Sequence, residues 1–373
     1  MKLLDEFYEV LEDPYGYGKK LKDEKNRKII GFFCSYTPEE IIHAAGLHPM
    51  RLFGARGDIT IADAHFQAYC CSLVRGALEE ALSGNLNFLD GTVFPHTCDS
   101  IQRLSDVWRL NTSFSFFADV VLPVKLNTDS ARRYMTDVLN RFRNDLEKGF
   151  GVKIGNDRLA GSIATYNRIR TCLEEIYGLH SDNPGIISGS DLYTVIRASM
   201  LMDRDDLAEK LPQVAEGIRR GDVATGADGK KRILLTGSVC DHPDVYRILE
   251  ESGGTVVWDD LCTGSRYFSG MIDQRDDPVE SLADRYLNRV VCPAKHVSPV
   301  SRGEHLLNLV KEKKADGVIF LLLKFCDPHA FDYPYLKEWF DREGIPSMVL
   351  EIEDRLPSKG QLLTRFETFI HMM

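Results

Sequence analysis

Apolar residues fall in short runs, and between the runs they recur at helical spacing. The runs are Lys28-Ile-Ile-Gly-Phe-Phe33, Pro49 to Phe53, Phe88 to Phe94, Arg232 to Thr236, Thr255 to Trp258, Gly317-Val-Ile-Phe-Leu-Leu-Leu323 and Ser347 to Ile352. Their length and their β-branched and aromatic content are those of buried parallel strands. An amphipathic helix and a charged connector occupy residues 1–27. Thr37-Pro-Glu-Glu40 reads as a helix start, with Thr37 as N-cap, Pro in the first position and Glu40 completing a capping box. Further helices are expected over Ala64 to Ser83, Asp244 to Ser252, Ser281 to Asn288, Gly303 to Lys313, Tyr333 to Arg342 and from Gly360 onward. Strand and helix alternating over short connections predict an α/β fold with parallel sheets.

The middle of the chain breaks this rhythm. Thr128 to Lys148, Asp157 to Tyr177, Ser190 to Met202 and Asp205 to Arg219 all read as helices, and Pro212 is expected to kink or split the last. A polar, Gly-rich connector follows at Gly221 to Lys230. The expected organisation is two doubly wound parallel-sheet lobes of the flavodoxin or Rossmann kind with a helical insert. Residues 1–127 form the first lobe and carry Cys34, Cys71 and Cys98. Residues 128–225 form the insert, and residues 226–373 form the second lobe with Cys326. At 373 residues, more than one core is in any case expected.

Composition narrows the function. No segment approaches the ~20 continuous apolar residues of a membrane span. The acidic start Met-Lys-Leu-Leu-Asp-Glu-Phe-Tyr-Glu lacks the apolar core of a signal peptide, so a cytoplasmic protein is expected. A formal charge of −10 argues against nucleic acid as a partner, although it leaves room for a local basic pocket. Nine cysteines in a chain of this size favour metal or redox use over structural disulfides.

Two cysteines stand just beyond strand ends, where ligands sit in α/β folds. Cys326 lies in Phe-Cys-Asp-Pro-His after Gly317–Leu323, and Cys98 lies in Pro-His-Thr-Cys-Asp after Phe88–Phe94. Cys71, on or at the start of a helix, makes a third candidate. Thiolates take zinc or iron–sulfur clusters. A structural zinc site normally shows closely spaced ligand pairs, so this dispersed spacing favours a cluster held between domains. Cys70, Cys172, Cys240, Cys262 and Cys292 read as ordinary buried thiols.

Several segments together resemble a known family. They are Cys34-Ser-Tyr-Thr-Pro-Glu-Glu-Ile-Ile-His-Ala-Ala-Gly46, Phe94-Pro-His-Thr-Cys98-Asp-Ser, Asp259-Asp-Leu-Cys-Thr-Gly-Ser-Arg-Tyr-Phe268, Lys324-Phe-Cys326-Asp-Pro and Gly360-Gln-Leu-Leu-Thr-Arg365. They are similar to the oxygen-sensitive 2-hydroxyacyl-CoA dehydratase and benzoyl-CoA reductase subunits. The resemblance implies a [4Fe–4S] cluster held by three cysteines, here Cys71, Cys98 and Cys326. It also implies pairing with a homologous sister subunit or a second copy, and a separate ATP-hydrolysing iron–sulfur activator. The implied substrate is a coenzyme A thioester. One electron delivered to its carbonyl gives a ketyl radical, which expels the α-hydroxyl and acidifies the β-proton. Benzoyl-CoA reductase would deliver the electron to an aromatic ring, and a homodimeric double-cubane-type reductase of small molecules is a further alternative. A non-catalytic subunit that relays electrons to its sister stays open as well.

Cys34 follows the first strand, and relatives with a larger double-cubane cluster have cysteine here. It is read as an extra ligand, a neighbour of the cluster or a buried thiol. Ser35, Glu39, Glu40 and His43 share the same loop and helix start. A hydroxyl and backbone amides at a helix N-terminus suit an anionic oxygen, so Ser35 and Glu39 are candidate catalytic residues, while capping suits Glu40 better. His96 and His329 flank the cysteines and could hydrogen-bond sulfur or substrate, with His96 a third catalytic candidate. Gly264, Ser265 and Arg266, with Arg302 and Lys295, are candidates for the phosphates of coenzyme A. Neither a Walker A motif nor a complete dinucleotide fingerprint is present, so ATP or NAD binding by this chain is not expected.

Overall fold

The short apolar runs pair into two wholly parallel sheets of four strands each in the computed structural model. It describes residues 3–54, 57–223, 230–289, 292–298, 300–353 and 355–373. The first sheet contains β1 (Ile29–Phe32), β2 (His48–Arg51), β3 (Gly91–Pro95) and β4 (Phe117–Val120), in the order β2-β1-β3-β4. The second contains β5 (Lys231–Gly237), β6 (Gly254–Asp260), β7 (Gly317–Leu323) and β8 (Ser347–Ile352), in the order β6-β5-β7-β8. The two orders are the same. In each, the winding reverses between the first and third strands, which opens a crevice at their C-terminal ends.

Side-chain alternation along the strands divides the core. On one face of the first sheet, Ile30, Phe32 and Val93 pack with Met135, Leu139 and Phe142 of the helix Asp129–Phe150 and with Leu282 and Tyr286 of the helix Pro278–Asn288. On the other face, Ile29 and Phe94 join a larger cluster that also contains Ile233, Leu235, Ile319 and Leu321 of the second sheet. Helices Asn156–Asp182, Gly189–Ser199 and Arg204–Arg220 fill this shared region. The stretch 128–225 therefore closes no separate core: its first helix covers the first sheet and its later helices pack between the sheets. The Gly-rich connector lies mostly outside the described residues, at 224–229.

Three local expectations are corrected. The helix Arg204–Arg220 continues through Pro212, so the proline does not split it. Its buried Leu207, Leu211, Val214 and Ile218 each contribute ~1.5–3 kcal/mol, which outweighs the ~3 kcal/mol cost of an internal proline. The expected helix Ala64 to Ser83 is only Ser72–Leu82, preceded by a single 3₁₀ turn at Ala62–Ala64. The capping box at Thr37 does not form: the helix is Glu39–Ala44 and has no side-chain cap. Thr37 and Glu40 are both buried, and Glu40 pairs with the buried Arg170 instead. A carboxylate out of water gains more from a guanidinium than from a backbone N–H. The pattern also passed over the helix Asp99–Asn111 and the short strand β4.

Gly237 closes β5 with φ 147°, opposite Leu321 of β7, and a Cβ there would fall onto the Leu321 carbonyl oxygen. Gly237→Ala should destabilise the protein by on the order of 3 kcal/mol, read as a lower urea midpoint. An unchanged midpoint would mean that this strand end relaxes freely.

Candidate metal centre

The strand ends deliver the thiols. Cys98 follows β3 and occupies the N-cap position of the helix Asp99–Asn111, Cys326 follows β7 at the N-cap position of the helix Asp327–Arg342, and Cys71 holds the N-cap position of Ser72–Leu82 in the connection after β2; none makes a side-chain cap hydrogen bond. Each of the three sits at the residue before a helix, with backbone N–H groups of the first turn facing its sulfur. Phe325 takes the left-handed region at φ 64°, uncommon for a bulky residue, and turns the chain off β7 into the Cys326 cap.

The three thiols feel one another. Burial first, then the negative charge of Cys71 and Cys98, pushes the Cys326 thiol far up, and Cys71 likewise acts on Cys98. Burial lifts Cys71 to about 11 and Cys98 to about 12, while N–H groups of Val74 and Leu73, and of Ile101 and Ser100, pull them down. Such thiols are protonated at neutral pH, and binding a metal must displace their protons. Cys34 adds its charge to Cys98, and Cys262 adds its charge to Cys326. Among the described residues, no group of three or more His, Cys, Asp or Glu side chains is close enough to hold a single metal ion.

A buried polar network backs this crevice. Asp260, at the end of β6, is fully buried between Arg266 (Nε to Oδ1 2.9 Å) and Arg302 (Nη1 to Oδ2 2.8 Å). Burial alone would raise its carboxyl, but Arg266 and Arg302 hold it well below the usual range. Arg266 also donates to the carbonyls of Gly237 and Asp260 and lies 3.4 Å from both Cys262 Sγ and His329 Nε2. Arginine only donates, so Nε2 of His329 accepts and the ring proton sits on Nδ1. Burial, then Arg266 and Arg302, hold His329 neutral.

The other candidates are distributed as follows. Ser35 is buried; Arg289 Nη1 donates to its carbonyl at 2.6 Å and Nη2 to its Oγ at 3.3 Å. Glu39 accepts from Arg204 at 2.8 Å and from the hydroxyls of Tyr166 and Tyr267 at 3.3 Å each, which makes it a paired internal carboxylate. His96 stands at the end of β3 beside Asp119, 3.0 Å away. His43 bonds Ser162 and Asp205. The residues expected to meet coenzyme A phosphates are turned inward: Arg266 is spent on Asp260 and carbonyls, and Ser265 donates to Asp259 from both its N–H and its hydroxyl. A Cβ on Gly264 would collide with the Asp259 carboxylate. Lys295 donates to the Leu122 carbonyl at 2.8 Å, fully buried. Burial explains the difference, since a guanidinium inside the protein must pair.

Sequence reasoning set Cys262 aside as a buried thiol and passed over Arg289 and Arg204. Cys262 follows β6 as Cys98 follows β3, and that position was its available signal. Nothing local marks Arg289 or Arg204, whose partners lie far away in the chain.

Two parallel sheets with the same winding reversal, and three N-cap cysteines near enough to act on one another's charge, define the class of this α/β protein. The chain matches the family model "2-hydroxyglutaryl-CoA dehydratase, D-component" over residues 34–373, and it belongs to that family of enzymes. It is 30% identical over 368 residues to the (R)-phenyllactyl-CoA dehydratase beta subunit of Clostridium sporogenes, covering 99% of this chain and 98% of that one. It is 30% identical over 330 residues to a benzoyl-CoA reductase subunit of Thauera aromatica, covering 87% and 85%. The (R)-2-hydroxyglutaryl-CoA dehydratase beta subunit of Acidaminococcus fermentans is 28% identical over 373 residues, with 98% of each covered. Among the described residues, no helix is long and apolar enough to cross a membrane.

Asp260→Asn leaves Arg266 and Arg302 facing a neutral group and should cost about 3–5 kcal/mol. Because the folded carboxyl is depressed, its stabilisation is complete above the unfolded value of ~3.9 and is lost as pH falls below it. Urea midpoints from pH 7 down to pH 3 should therefore fall less steeply in the variant than in the wild type.

Proposed function

We propose that this chain is the iron–sulfur subunit of a 2-hydroxyacyl-CoA dehydratase-type enzyme that acts by one-electron chemistry on an acyl-CoA thioester. The observation that carries the reading is the convergence of Cys71, Cys98 and Cys326, three buried or half-buried thiols at helix N-termini of two lobes. Thiolates at helix N-termini are favoured by the N–H groups and the helix dipole. Zinc ligands, with Zn–S bonds of ~2.3 Å, crowd closely around one ion. Thiols that perturb one another yet do not gather around a single ion suit a larger group, a [4Fe–4S] cluster. When bound, such a cluster supplies one low-potential electron.

The chain's own residues supply the rest. Arg289 donates to both oxygens of Ser35, which fixes that hydroxyl and leaves its proton for an oxygen acceptor such as a reduced thioester carbonyl. Glu39, paired with Arg204 and two tyrosines, positions this loop. His329, held neutral, donates its backbone N–H to the Cys326 carbonyl and so fixes the turn that carries this thiol. Relatives that are themselves named as subunits support a sister subunit, and the family reading adds an ATP-hydrolysing activator and a cytoplasmic setting. Dehydratase beta subunits match over nearly their whole length, whereas the ring-reductase relative matches over 85% of its own, which favours the dehydratase reading.

Cys71→Ser, Cys98→Ser and Cys326→Ser should each abolish the brown colour and most of the iron of anaerobically purified protein. Cys172→Ser, on the helix Asn156–Asp182, should leave iron unchanged. Full iron content with an intact EPR signal in a ligand variant removes that residue from the set.

Ser35→Ala should slow turnover about a hundredfold, the ~3 kcal/mol of a lost oxyanion donor, at wild-type iron content. Cys34→Ala separates a neighbour from a ligand: loss of roughly a quarter of the iron or more would make Cys34 a ligand and the cluster a larger, double-cubane one.

A further inference from the structure

A cavity of about 400 Å³ lies between the lobes, at the ends of β2, β5, β7 and β8. That volume is within the range of small-ligand sites. Met50, Leu201, Leu323 and Ile352 give it an apolar wall. Two arginines from separate elements enter it: Arg51, the last residue of β2, and Arg197, from the helix Gly189–Ser199. Both are more than nine-tenths buried, Arg51 at 1% and Arg197 at 7% exposure. Their guanidinium carbons stand 5.4 and 3.1 Å from the centre of the Phe53 ring.

The donors left over are informative. Arg197 gives Nε to the Tyr193 hydroxyl and Nη2 to Asp241, while its Nη1 has no partner among the described residues. Arg51 uses only Nη1, which donates to the Cys262 carbonyl at 2.6 Å and faces Met200 Sδ. Its Nε and Nη2 are buried and have no partner among the described residues. These two N–H groups form the side edge of the guanidinium, the fork that matches a carboxylate or phosphate with two parallel hydrogen bonds.

Charge tells the same story. Asp241 answers Arg197, and Glu353 at the rim is paired with Lys324 at 2.6 Å. No acidic side chain among the described residues pairs with Arg51. Burial lowers the Arg197 guanidinium, Tyr193 opposes that, and the neighbouring Arg51 charge lowers it further. A buried cation with an idle fork beside a second cation is costly unless an anion joins it.

We propose that this cavity binds an organic oxyanion, a carboxylate or phosphate group on a partly apolar ligand, drawn to the paired charges of Arg51 and Arg197; the idle Nε and Nη2 of Arg51 and Nη1 of Arg197 are covered in this structure, and these side chains turn toward the cavity as they take the anion. The proposal does not rest on iron, although Ser72 and Leu73, next to Cys71, also line the cavity. It binds the anionic end of its ligand, and the apolar wall takes the remainder.

The test is calorimetric titration of anaerobically purified full-length protein with glutarate, with inorganic phosphate and with chloride at matched ionic strength. Saturable heat from glutarate alone assigns a carboxylate ligand, and saturable heat from phosphate assigns a phosphorylated one. Arg51→Lys keeps the charge and removes the fork, so affinity should fall on the order of tenfold or more while iron content and circular dichroism stay at wild-type values. Arg197→Gln, read alongside and in place of Arg51→Lys should that variant not fold, should weaken binding several-fold. The proposal is overturned if neither anion gives heat above chloride, or if the folded variants bind with wild-type affinity.

Discussion

The Asp260–Arg266 pair is the point on which the two lobes depend. Arg266 reaches the carbonyl that ends β5 and the carboxylate that ends β6, and it touches His329 on the helix that Cys326 precedes. Its own carbonyl accepts from Arg289, which in turn holds Ser35 beyond β1. One guanidinium thus links three strand ends of the second lobe to a fourth in the first. A pair this deep is a poor source of net stability, because desolvation consumes most of its attraction. Its effect is specificity: few other arrangements of these loops satisfy so many buried donors.

Much of the fold was legible in the sequence. Seven of the eight strands coincide with apolar runs, because a strand buried on both faces has no polar side to disguise it. β4 escaped because Phe117-Ala-Asp-Val120 is short and its Asp119 is polar. Thr37 and Glu40 misled for a different reason. Their spacing is that of a capping box, yet both are buried, and a long-range partner, Arg170, outcompetes the local one.

The site was legible in its thiols and much less so in its arginines. A cysteine after a parallel strand has a place in space that topology fixes, so Cys98 and Cys326 could be read from position. An arginine's role depends on where its fork ends, which no local pattern encodes. Arg266 shows this: after a strand and a glycine it looks like a phosphate ligand, but only packing reveals that Asp260 already occupies it. Arg51, inside an apolar run, gave no hint, and its Nε and Nη2 have no partner among the described residues.

The identical strand order of the two sheets reaches beyond architecture. Cys34 and Cys240 follow corresponding strands, as do Cys71 and Cys262, and Cys98 and Cys326. Duplication of a half-length ancestor, with fusion of the copies, would produce a chain of this order. In an ancestral pair of identical halves, every thiol would come twice around a two-fold seam, so only even ligand sets were on offer. The proposed three-thiol set is therefore a broken symmetry, and Cys262 is its unpaired counterpart. Joining two halves in one chain would also set stoichiometry: a group seated between them would be bound once per chain, whatever the concentration of the protein.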